Sequence, residues 1–356
     1  YSGYSIQRYP GVEIDENIKT GRRFPLCGAA EHGSGNEQKI YRCAAYFVPV
    51  HGSGTEYSGG KDRDYSAFAN DKGFRYALEN QGFDVAKVTM DQQVPEDINI
   101  IVISDMREWF TPKQEANLQQ YIDRGGNLFI LGEPKRRDVM NNLFAKFGYE
   151  MTTGVLVKRD TNLQADVILS YPTKEADSIA YDFGTMRNRR MVITTPSTAG
   201  LEQIADKGYT VTNMFTTDTI GVWNELETTD FIDDTVCLNP AIGEVEKIYN
   251  TVVALSRKVG NKEQKIILTG DADCISNAEL GVDREFRRSN YALIDGMFRW
   301  LVYDEYPIDI SRPAAKDNDV YLTPAGYAWV KIFLRWVCPA ILVLLGCLIW
   351  FSRRMK

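Results

Sequence analysis

Apolar runs bounded by turn residues recur along the chain and predict the strands of a sheet. They cover residues 40–50, 83–89, 98–103, 127–132 and 265–270. The run at 83–89 alternates, whereas the centres of the other runs are apolar at consecutive positions. Consecutive apolar positions are typical of a strand that is buried on both faces of a sheet.

Between these runs, apolar residues recur with the period of an α-helix. This pattern predicts helices over residues 65–81, 112–124, 138–147, 242–259 and 290–303. The alternation of strands and helices with short loops is the pattern of an α/β protein. We therefore predict a mostly parallel, Rossmann-like sheet of the flavodoxin or amidotransferase kind, with helices on both faces.

The helix that begins after Thr111 carries the clearest start and stop signals. Thr111 can cap it, Pro112 suits its first position, and Gln114 completes a capping box. Gly125 and Gly126 then end it.

The last apolar run, residues 336–351, has no charged residue and predicts a transmembrane helix. Its length corresponds to a rise of roughly 24 Å, and apolar residues before it supply the rest of the ~30 Å hydrocarbon layer. Trp336 and Trp350 fit interfacial positions. Pro339 is tolerated within a membrane helix, and Gly346 allows close approach of another helix.

A basic tail follows the apolar run and predicts its orientation. Arg353, Arg354 and Lys356 are expected to stay in the cytoplasm, which places the preceding body on the other side of the membrane. Translocation of such a body requires an upstream signal or membrane segment. Because the chain starts at Tyr1 without one, we expect a removed region or a longer polypeptide.

The pattern divides the chain into seven segments. These are an irregular lead-in at 1–38, a first α/β half at 39–151, a β-rich middle lobe at 152–240, a last α/β part at 241–306, a linker at 307–324, the transmembrane helix at 325–352 and the tail at 353–356. The short strands of the middle lobe belong either to an inserted lobe or to the far edge of the sheet.

Charge and cysteine content narrow the class of protein. A net charge of -7 argues against a nucleic-acid partner, which requires a basic surface. With six cysteines, no CxxC and two histidines, the sequence does not predict a structural zinc site. Cys27 and Cys43 flank a loop and would form a disulfide in an oxidising compartment; Cys237 and Cys274 are a weaker pair.

Polar residues follow the predicted strands, where open α/β sheets bind ligands. They are His51, Ser53, Asp105, Glu133, Asp271 and Asp273. The acidic residues suit a hard cation such as Ca²⁺ or Mg²⁺, but they equally suit caps of the helices that follow. We favour caps, because Asp is a common N-cap residue, and we predict a ligand or partner surface at these strand ends.

The sequence does not predict catalysis or a bound cofactor. It has no Walker A pattern and no G-x-G-x-x-G, so we expect neither ATP nor a dinucleotide. No Ser or Cys stands on a strand-to-helix elbow after residues 127–132. Cys274 is the only candidate nucleophile, and neither histidine lies near it in sequence.

Four stretches together resemble the GldG-type auxiliary component of ABC-2 transporters. They are VPEDINIIVIS around residues 95–103, FTPKQEANLQQYIDRGGNLFILGEP at 110–134, GDADCISNAEL at 270–280, and the helix at 290–301 that leads through a linker to a terminal membrane helix. In the GDADCISNAEL stretch, Cys274 replaces an aromatic residue of the family pattern.

The resemblance implies a non-catalytic domain in the periplasm, anchored in the bacterial inner membrane. It implies a multi-span ABC permease and a cytoplasmic ATPase as partners, and in some members a fusion to the permease. Two alternatives stay open: a membrane-anchored amidotransferase-like or sugar-active enzyme with an acidic site at Asp271, Asp273 and Glu133, and a stand-alone periplasmic glycan- or peptide-binding protein.

Overall fold

The computed structural model describes residues 43–48, 65–304 and 324–354. Within the long range it omits residues 70, 72, 75–76, 88–89, 97, 107, 160–162, 233–234 and 283–288. The chain divides into two compact units, Tyr1–Ile308 and Asp309–Lys356.

The first unit contains the described strands, which form a main sheet and a separate two-stranded sheet, and most of the described helices. The strands are β1 (Cys43–Val48), β2 (Phe83–Lys87), β3 (Ile100–Ser104), β4 (Asn127–Leu131), β5 (Tyr149–Met151), β6 (Val155–Lys158), β7 (Val167–Pro172), β8 (Ile193–Pro196), β9 (Leu201–Gln203), β10 (Thr210–Thr216), β11 (Val222–Glu225), β12 (Asn250–Val259) and β13 (Lys262–Thr269). The helices are α1 (Ser66–Ala69), α2 (Pro112–Asp123), α3 (Arg137–Phe144), α4 (Tyr181–Asn188), α5 (Asn277–Gly281) and α6 (Asn290–Leu301).

The main sheet is mixed, with a parallel half and an antiparallel half. Its order is β2-β1-β3-β4-β13-β12-β10-β7-β8, and β9 pairs with both β12 and β5 beside this path. The neighbours from β2 to β13 pair in parallel, whereas β12, β10, β7 and β8 pair antiparallel. The α/β class is confirmed, but the predicted mostly parallel arrangement is not.

A two-residue turn explains where the parallel pairing stops. Gly260 and Asn261 join β12 to β13, and Gly260 has a φ of 59°. Glycine adopts this φ without strain, and Gly at the first central position makes a tight turn that returns the chain antiparallel.

The prediction of a helix at 242–259 is wrong, because most of this segment is a strand. The structure has a short 3₁₀ turn at Pro240–Ile242 and then the ten-residue strand β12. The spacing of Val252 and Leu255 fits a helix by coincidence, because both faces of this strand are buried. A strand buried on both faces shows no alternation of apolar and polar residues, so its pattern does not distinguish it from a helix. The Gly-Asn turn that follows is the signal for a strand at this position.

The predicted helix at 65–81 is also much shorter than expected. The described part consists of α1 and a 3₁₀ turn at Leu78–Gln81. Asp71 interrupts the helical pattern, since its Oδ1 accepts a hydrogen bond from Gly73 N at 2.8 Å. Such an Asx turn competes with helical hydrogen bonding.

The helix α2 has the start that the sequence predicts. Thr111 Oγ1 accepts from Gln114 N, and Gln114 Oε1 accepts from Thr111 N at 3.0 Å, which completes the capping box. The capping box satisfies two of the N–H groups that a helix start leaves without helical partners.

Successive residues of the central strands face two separate cores. Ile100, Phe129 and Ile267 belong to one core, which α1, α4, α5 and α6 cover. Ile101 and Leu128 belong to the other, which α2 and α3 cover. Helices therefore pack on both faces of the sheet, as the apolar runs predict.

An aromatic cluster holds α6 against the sheet. The ring of Phe298 lies 6.1 Å from Phe68, 5.9 Å from Phe83 and 5.8 Å from Phe129, measured between centroids. Phe298 is fully buried and joins α1, β2 and β4 through these contacts.

The second unit is a continuous helical segment with an irregular centre. The helix α7 (Pro324–Ile332) runs through a π-helical turn at Phe333–Val337 into α8 (Cys338–Arg354). Pro339 has no N–H for the carbonyl four residues earlier, and a π turn accommodates such a break. Among the described residues, Gly326–Arg354 is the one helix long and apolar enough to cross a membrane.

Replacing Phe298 with Ala should lower the free energy of unfolding by about 3–5 kcal/mol, the usual cost of emptying a buried phenyl site. The measurement is denaturant unfolding of the purified chain. Tyr181→Ala is the matched control, because Tyr181 is 84% exposed, and it should change stability by less than about 0.5 kcal/mol. Equal losses in the two variants would contradict the role of the aromatic cluster.

Candidate functional site

Four carboxylates follow three strands at one edge of the sheet. Asp105 follows β3, Glu133 follows β4 after one glycine, and Asp271 follows β13 after another glycine, with Asp273 two residues later. Because β3, β4 and β13 are parallel neighbours, these strand ends lie side by side. The structure thus brings four of the predicted residues to one place.

The other predicted residues cannot be placed with them. His51 and Ser53 lie outside the described residues, and so does Cys27 of the predicted disulfide. The strand end that His51 follows belongs to β1, the parallel neighbour of β3. Its position along the chain is therefore compatible with the same edge, and the membership of His51 and Ser53 stays a prediction.

Glycine is required where the strand ends meet. A Cβ on Gly270 would lie 1.9 Å from the carbonyl oxygen of Ala199, and a Cβ on Gly132 would lie 2.5 Å from the sulfur of Met151. Neither distance leaves room for a side chain. The two glycines let the backbones approach closely before Glu133 and Asp271 turn away.

Three of the four carboxylates are buried. Asp105 is 2% exposed, Asp271 3% and Glu133 7%, whereas Asp273 is half-buried. Burial raises the pKa of Asp271 well above its usual range, and the negative charges of Asp273, Glu133 and Asp105 raise it further. This mutual repulsion means that the cluster favours protons or a positive charge.

Two of these carboxylates accept hydrogen bonds from the backbone that follows them. Glu133 Oε1 accepts from Lys135 N at 2.9 Å at the start of a 3₁₀ turn. Asp271 Oδ2 accepts from Asp273 N at 2.6 Å. The bond of Glu133 is the capping role favoured from the sequence. The bond of Asp271 closes a turn within the loop after β13, where Ala272 holds the cap position of the 3₁₀ turn that follows.

The thiol of Cys274 is poorly suited to act as a nucleophile. Cys274 is fully buried, and burial raises its pKa well above the usual range, with further contributions from the charges of Asp271, Asp273 and Glu279. The reactive species of cysteine is the thiolate. A buried thiol surrounded by negative charge stays protonated and unreactive.

A buried hydrogen-bond network fixes the loop that carries Asp271 and Cys274. Asn290 Nδ2 donates to the carbonyl oxygens of Thr194 and Cys274 at 2.8 and 2.7 Å. Thr194 Oγ1 donates to the carboxylate of Glu279, and Ser276 Oγ accepts from Glu279 N at 3.2 Å. These bonds tie β8, α5 and α6 together behind the carboxylates.

A cleft opens at the opposite edge of the sheet, where β4 and β13 begin. It has a volume of about 680 Å³, and its walls include Arg124, Asn127, Lys262, Glu263 and Tyr303. None of the four strand-end carboxylates lines it. Both terminal nitrogens of the Arg124 guanidinium donate to backbone carbonyls, at Val94 and Pro95. Arg124 therefore holds the loop at Val94 and Pro95 in place.

A second acidic group was not predicted from the sequence. Carboxylate oxygens of Glu225, Glu227 and Glu244 lie within 4.8 Å of one another. Glu225 and Glu244 are buried, and Glu227 is exposed. The spacing of Glu225 and Glu227 is visible in the sequence, but Glu244 joins them only through the fold.

One family model matches part of the chain. Residues 46–206 match the family model described as an ABC-type uncharacterized transport system. This segment is therefore similar to an auxiliary component of such a system, which confirms the resemblance predicted from the sequence. Two of the four stretches that carried the resemblance, 95–103 and 110–134, lie inside the matched segment.

Similar solved structures share only distant relationships with this chain. The N-terminal domain of mmIFT52 is 13% identical with a TM-score of 0.47, over 78% of this chain and 100% of that one. The exo-beta-1,4-mannosidase Op5Man5 from Opitutaceae bacterium strain TAV5 is 12% identical with a TM-score of 0.33, over 75% and 36%. A thua-like protein from Parabacteroides merdae ATCC 43184 is 8% identical with a TM-score of 0.38, over 78% and 94%. At these scores the similarities carry no functional argument. No curated protein matches the sequence significantly.

Replacing Asp271 with Asn should stabilise the protein at neutral pH. The raised pKa of Asp271 means that its contribution to stability is present below the ordinary Asp pKa and is lost as pH rises through the raised value. Asn cannot ionise and still accepts the bond from Asp273 N. We expect a melting temperature at pH 7 that is higher by about 1–2 °C, as about 1 kcal/mol would give in a chain of this size, and a smaller loss of stability with rising pH.

The matched control for this measurement is Asp206→Asn. Asp206 is exposed, and its Oδ1 accepts from Gly208 N in a turn that Asn can also make. It should leave the pH profile of the melting temperature unchanged. A lower melting temperature for Asp271→Asn at pH 7 would mean that the ionised carboxylate stabilises this edge.

Proposed function

We propose that the chain is a non-catalytic accessory subunit of a bacterial ABC-2-type exporter, similar to GldG. The family match over residues 46–206 carries this proposal. It is supported by the helix Gly326–Arg354, which fits a membrane anchor. In this role the chain works with a multi-span permease and a cytoplasmic ATPase, in the same polypeptide as the permease or in a complex with it.

The body of the protein lies in the periplasm, and the tail lies in the cytoplasm. This orientation is supported by Arg353 and Arg354, which end the apolar helix and favour the cytoplasmic side. Gly346 provides the small surface on which the anchor packs against a permease helix, since a Cβ there would contact none of the residues that the structure describes.

A surface at the carboxyl ends of the parallel strands contacts cargo or an envelope partner. Asp273 is the carboxylate best placed for direct contact, because it is half-buried while Asp105, Glu133 and Asp271 are buried. The buried three shape the loops that carry this surface. His51 and Ser53 complete this surface in the proposal.

The absence of catalysis is part of the proposal and has physical support. Cys274 stays protonated, and Glu133 and Asp271 are engaged in hydrogen bonds with the backbone. Neither the cleft at the opposite edge nor the smaller one beside Lys247 is lined by the four carboxylates.

One observation favours an enzyme as the second candidate function. The four carboxylates converge, and a carboxyl with a raised pKa such as Asp271 resembles the general acid of a sugar-active enzyme. Hydrolysis of chromogenic glycosides and amides by the full chain tests this candidate. Activity that Asp271→Asn abolishes while Asp206→Asn preserves it would replace the accessory proposal with the enzyme.

Extraction of the native membrane in a mild detergent tests the accessory function. A multi-span permease and an ATPase should co-purify with the chain. Gly346→Leu should reduce their recovery, because a bulky side chain blocks close helix approach. Leu344→Ile, on roughly the opposite side of the helix, should not. Isolation of the chain with neither protein, as wild type, would contradict the proposal.

Cysteine labelling in spheroplasts tests the orientation. In a Cys27→Ser, Cys43→Ser background, a membrane-impermeant maleimide should label the exposed Cys237 in intact spheroplasts. Lys356→Cys, with Cys237→Ser added, should be labelled only after permeabilisation. The reverse pattern would place the body in the cytoplasm.

A further inference from the structure

Four apolar side chains between residues 226 and 245 are exposed, outside the segment that matches the family. They are Leu226 at 37%, Leu238 at 37%, Ile242 at 43% and Val245 at 48% exposure. We call them the 226–245 patch. Single exposed apolar residues are common, but a group of this kind typically marks an interaction site.

The carboxylate of Glu244 holds the patch together. Its two oxygens accept from Leu226 N at 2.9 Å and from Asn239 N at 2.6 Å. Val245 N donates to Asn224 Oδ1 at 2.8 Å. Leu226 and the residue that follows Leu238 therefore lie beside Glu244, so the backbone segments that carry the four apolar side chains are held together.

The patch lies in the most acidic part of the chain. Residues 220–248 contain seven acidic residues and one lysine, a net charge of -6, whereas the whole chain has -7. Glu227, Asp230 and Glu246 are exposed around the patch. The buried Glu225 and Glu244 lie beside Glu227 and strengthen the negative potential there.

This acidic group does not suit a metal ion. Glu225 Oε1 accepts from Glu227 N and Thr228 N, and its Oε2 accepts from Trp223 Nε1 at 3.2 Å. Both oxygens of Glu244 accept from backbone amides as described above. These bonds serve the loops, and the carboxylates act outward mainly through their charge.

The negative charge of residues 220–248 also decides which kind of partner could cover the exposed apolar side chains. A bilayer with anionic lipids would repel residues 220–248, and a second copy of the chain would present the same acidic surface. A peptide segment with apolar and basic residues complements both the exposed apolar side chains of the patch and the negative charge around them. Such charge complementarity favours correct encounter and orientation of two partners.

We propose that the 226–245 patch binds a segment of a partner protein that carries alternating apolar and basic side chains. Its apolar side chains pack on Leu226, Ile242 and Val245, and its Lys or Arg residues meet Glu227 and Glu246. This binding does not depend on the strand-end carboxylates or on membership of a transport system.

A peptide-binding measurement on the full chain in detergent micelles tests the proposal. The probe is a fluorescein-labelled twelve-residue peptide of alternating Leu and Lys, and its control alternates Leu and Glu. Anisotropy should show binding of the Leu-Lys peptide that weakens with salt, as expected of exposed charge pairs, and little binding of the Leu-Glu peptide. Equal binding of the two peptides would overturn the proposal.

Two pairs of substitutions locate the binding on the patch. Leu226→Ser with Val245→Ser, and separately Glu227→Gln with Glu246→Gln, should each weaken the affinity for the Leu-Lys peptide by about tenfold, the loss of about 1.4 kcal/mol. The second pair should also reduce the salt dependence. All four residues are exposed, so the melting temperatures should match that of the wild type.

Matched pairs elsewhere on the surface serve as controls. Tyr181→Ser with Ile204→Ser removes exposed apolar groups, and Glu175→Gln with Asp206→Asn removes exposed charges. Both controls should bind the peptide as the wild type does. Equal weakening in the controls, or no weakening in the patch variants, would show that the peptide binds elsewhere.

Two further outcomes would assign the patch to another occupant and overturn the proposal. One is a dimer in sedimentation velocity that disappears in the Leu226→Ser, Val245→Ser variant. The other is quenching by brominated lipid of a bimane dye on Val245→Cys, in liposomes that contain phosphatidylglycerol. We expect a monomer in the first measurement and no quenching in the second.

Discussion

The burial of the central strands on both faces is the constraint on which the rest of this structure depends. The strands β3 and β4 have no exposed side chain, and neither does the second half of β13. A polar side chain within them would lie in one of the two cores without water. Polar chemistry is therefore confined to the strand ends, and helices on both sides are needed to cover the apolar faces. The pinning of α6 by Phe298 and the close backbone approach at Gly270 both follow from this arrangement.

Sequence reasoning succeeded where one local signal decided the structure. The capping box at Thr111 and Gln114 predicted the start of α2, and the uninterrupted apolar runs predicted β3, β4 and β13. It failed at 242–259, where a strand buried on both faces lacks the alternation that distinguishes it from a helix. The Gly260–Asn261 turn was the signal that would have corrected this error and the expectation of a mostly parallel sheet.

The sequence was enough to nominate residues of the candidate site, but not to predict their burial or the raised pKa of Asp271. Position at strand ends was enough to nominate Asp105, Glu133 and Asp271, since parallel strands bring their ends together. Their burial and the raised pKa of Asp271 depend on how the loops after β13 pack on β8 and α6. The 226–245 patch was not predictable in the same way, because Glu244 gathers residues that are distant in sequence and no periodic pattern marks them.

The central claim is that the chain is a non-catalytic subunit coupled to an ABC transporter. The rate of ATP hydrolysis by the transporter tests this claim most directly. The permease and its ATPase would be reconstituted in liposomes, with and without the full chain, and their rate of ATP hydrolysis compared. The account predicts that the chain alone hydrolyses no ATP, that its presence changes the rate of the transporter, and that Asp271→Asn changes the rate as the wild type does. An identical rate with and without the chain would contradict it.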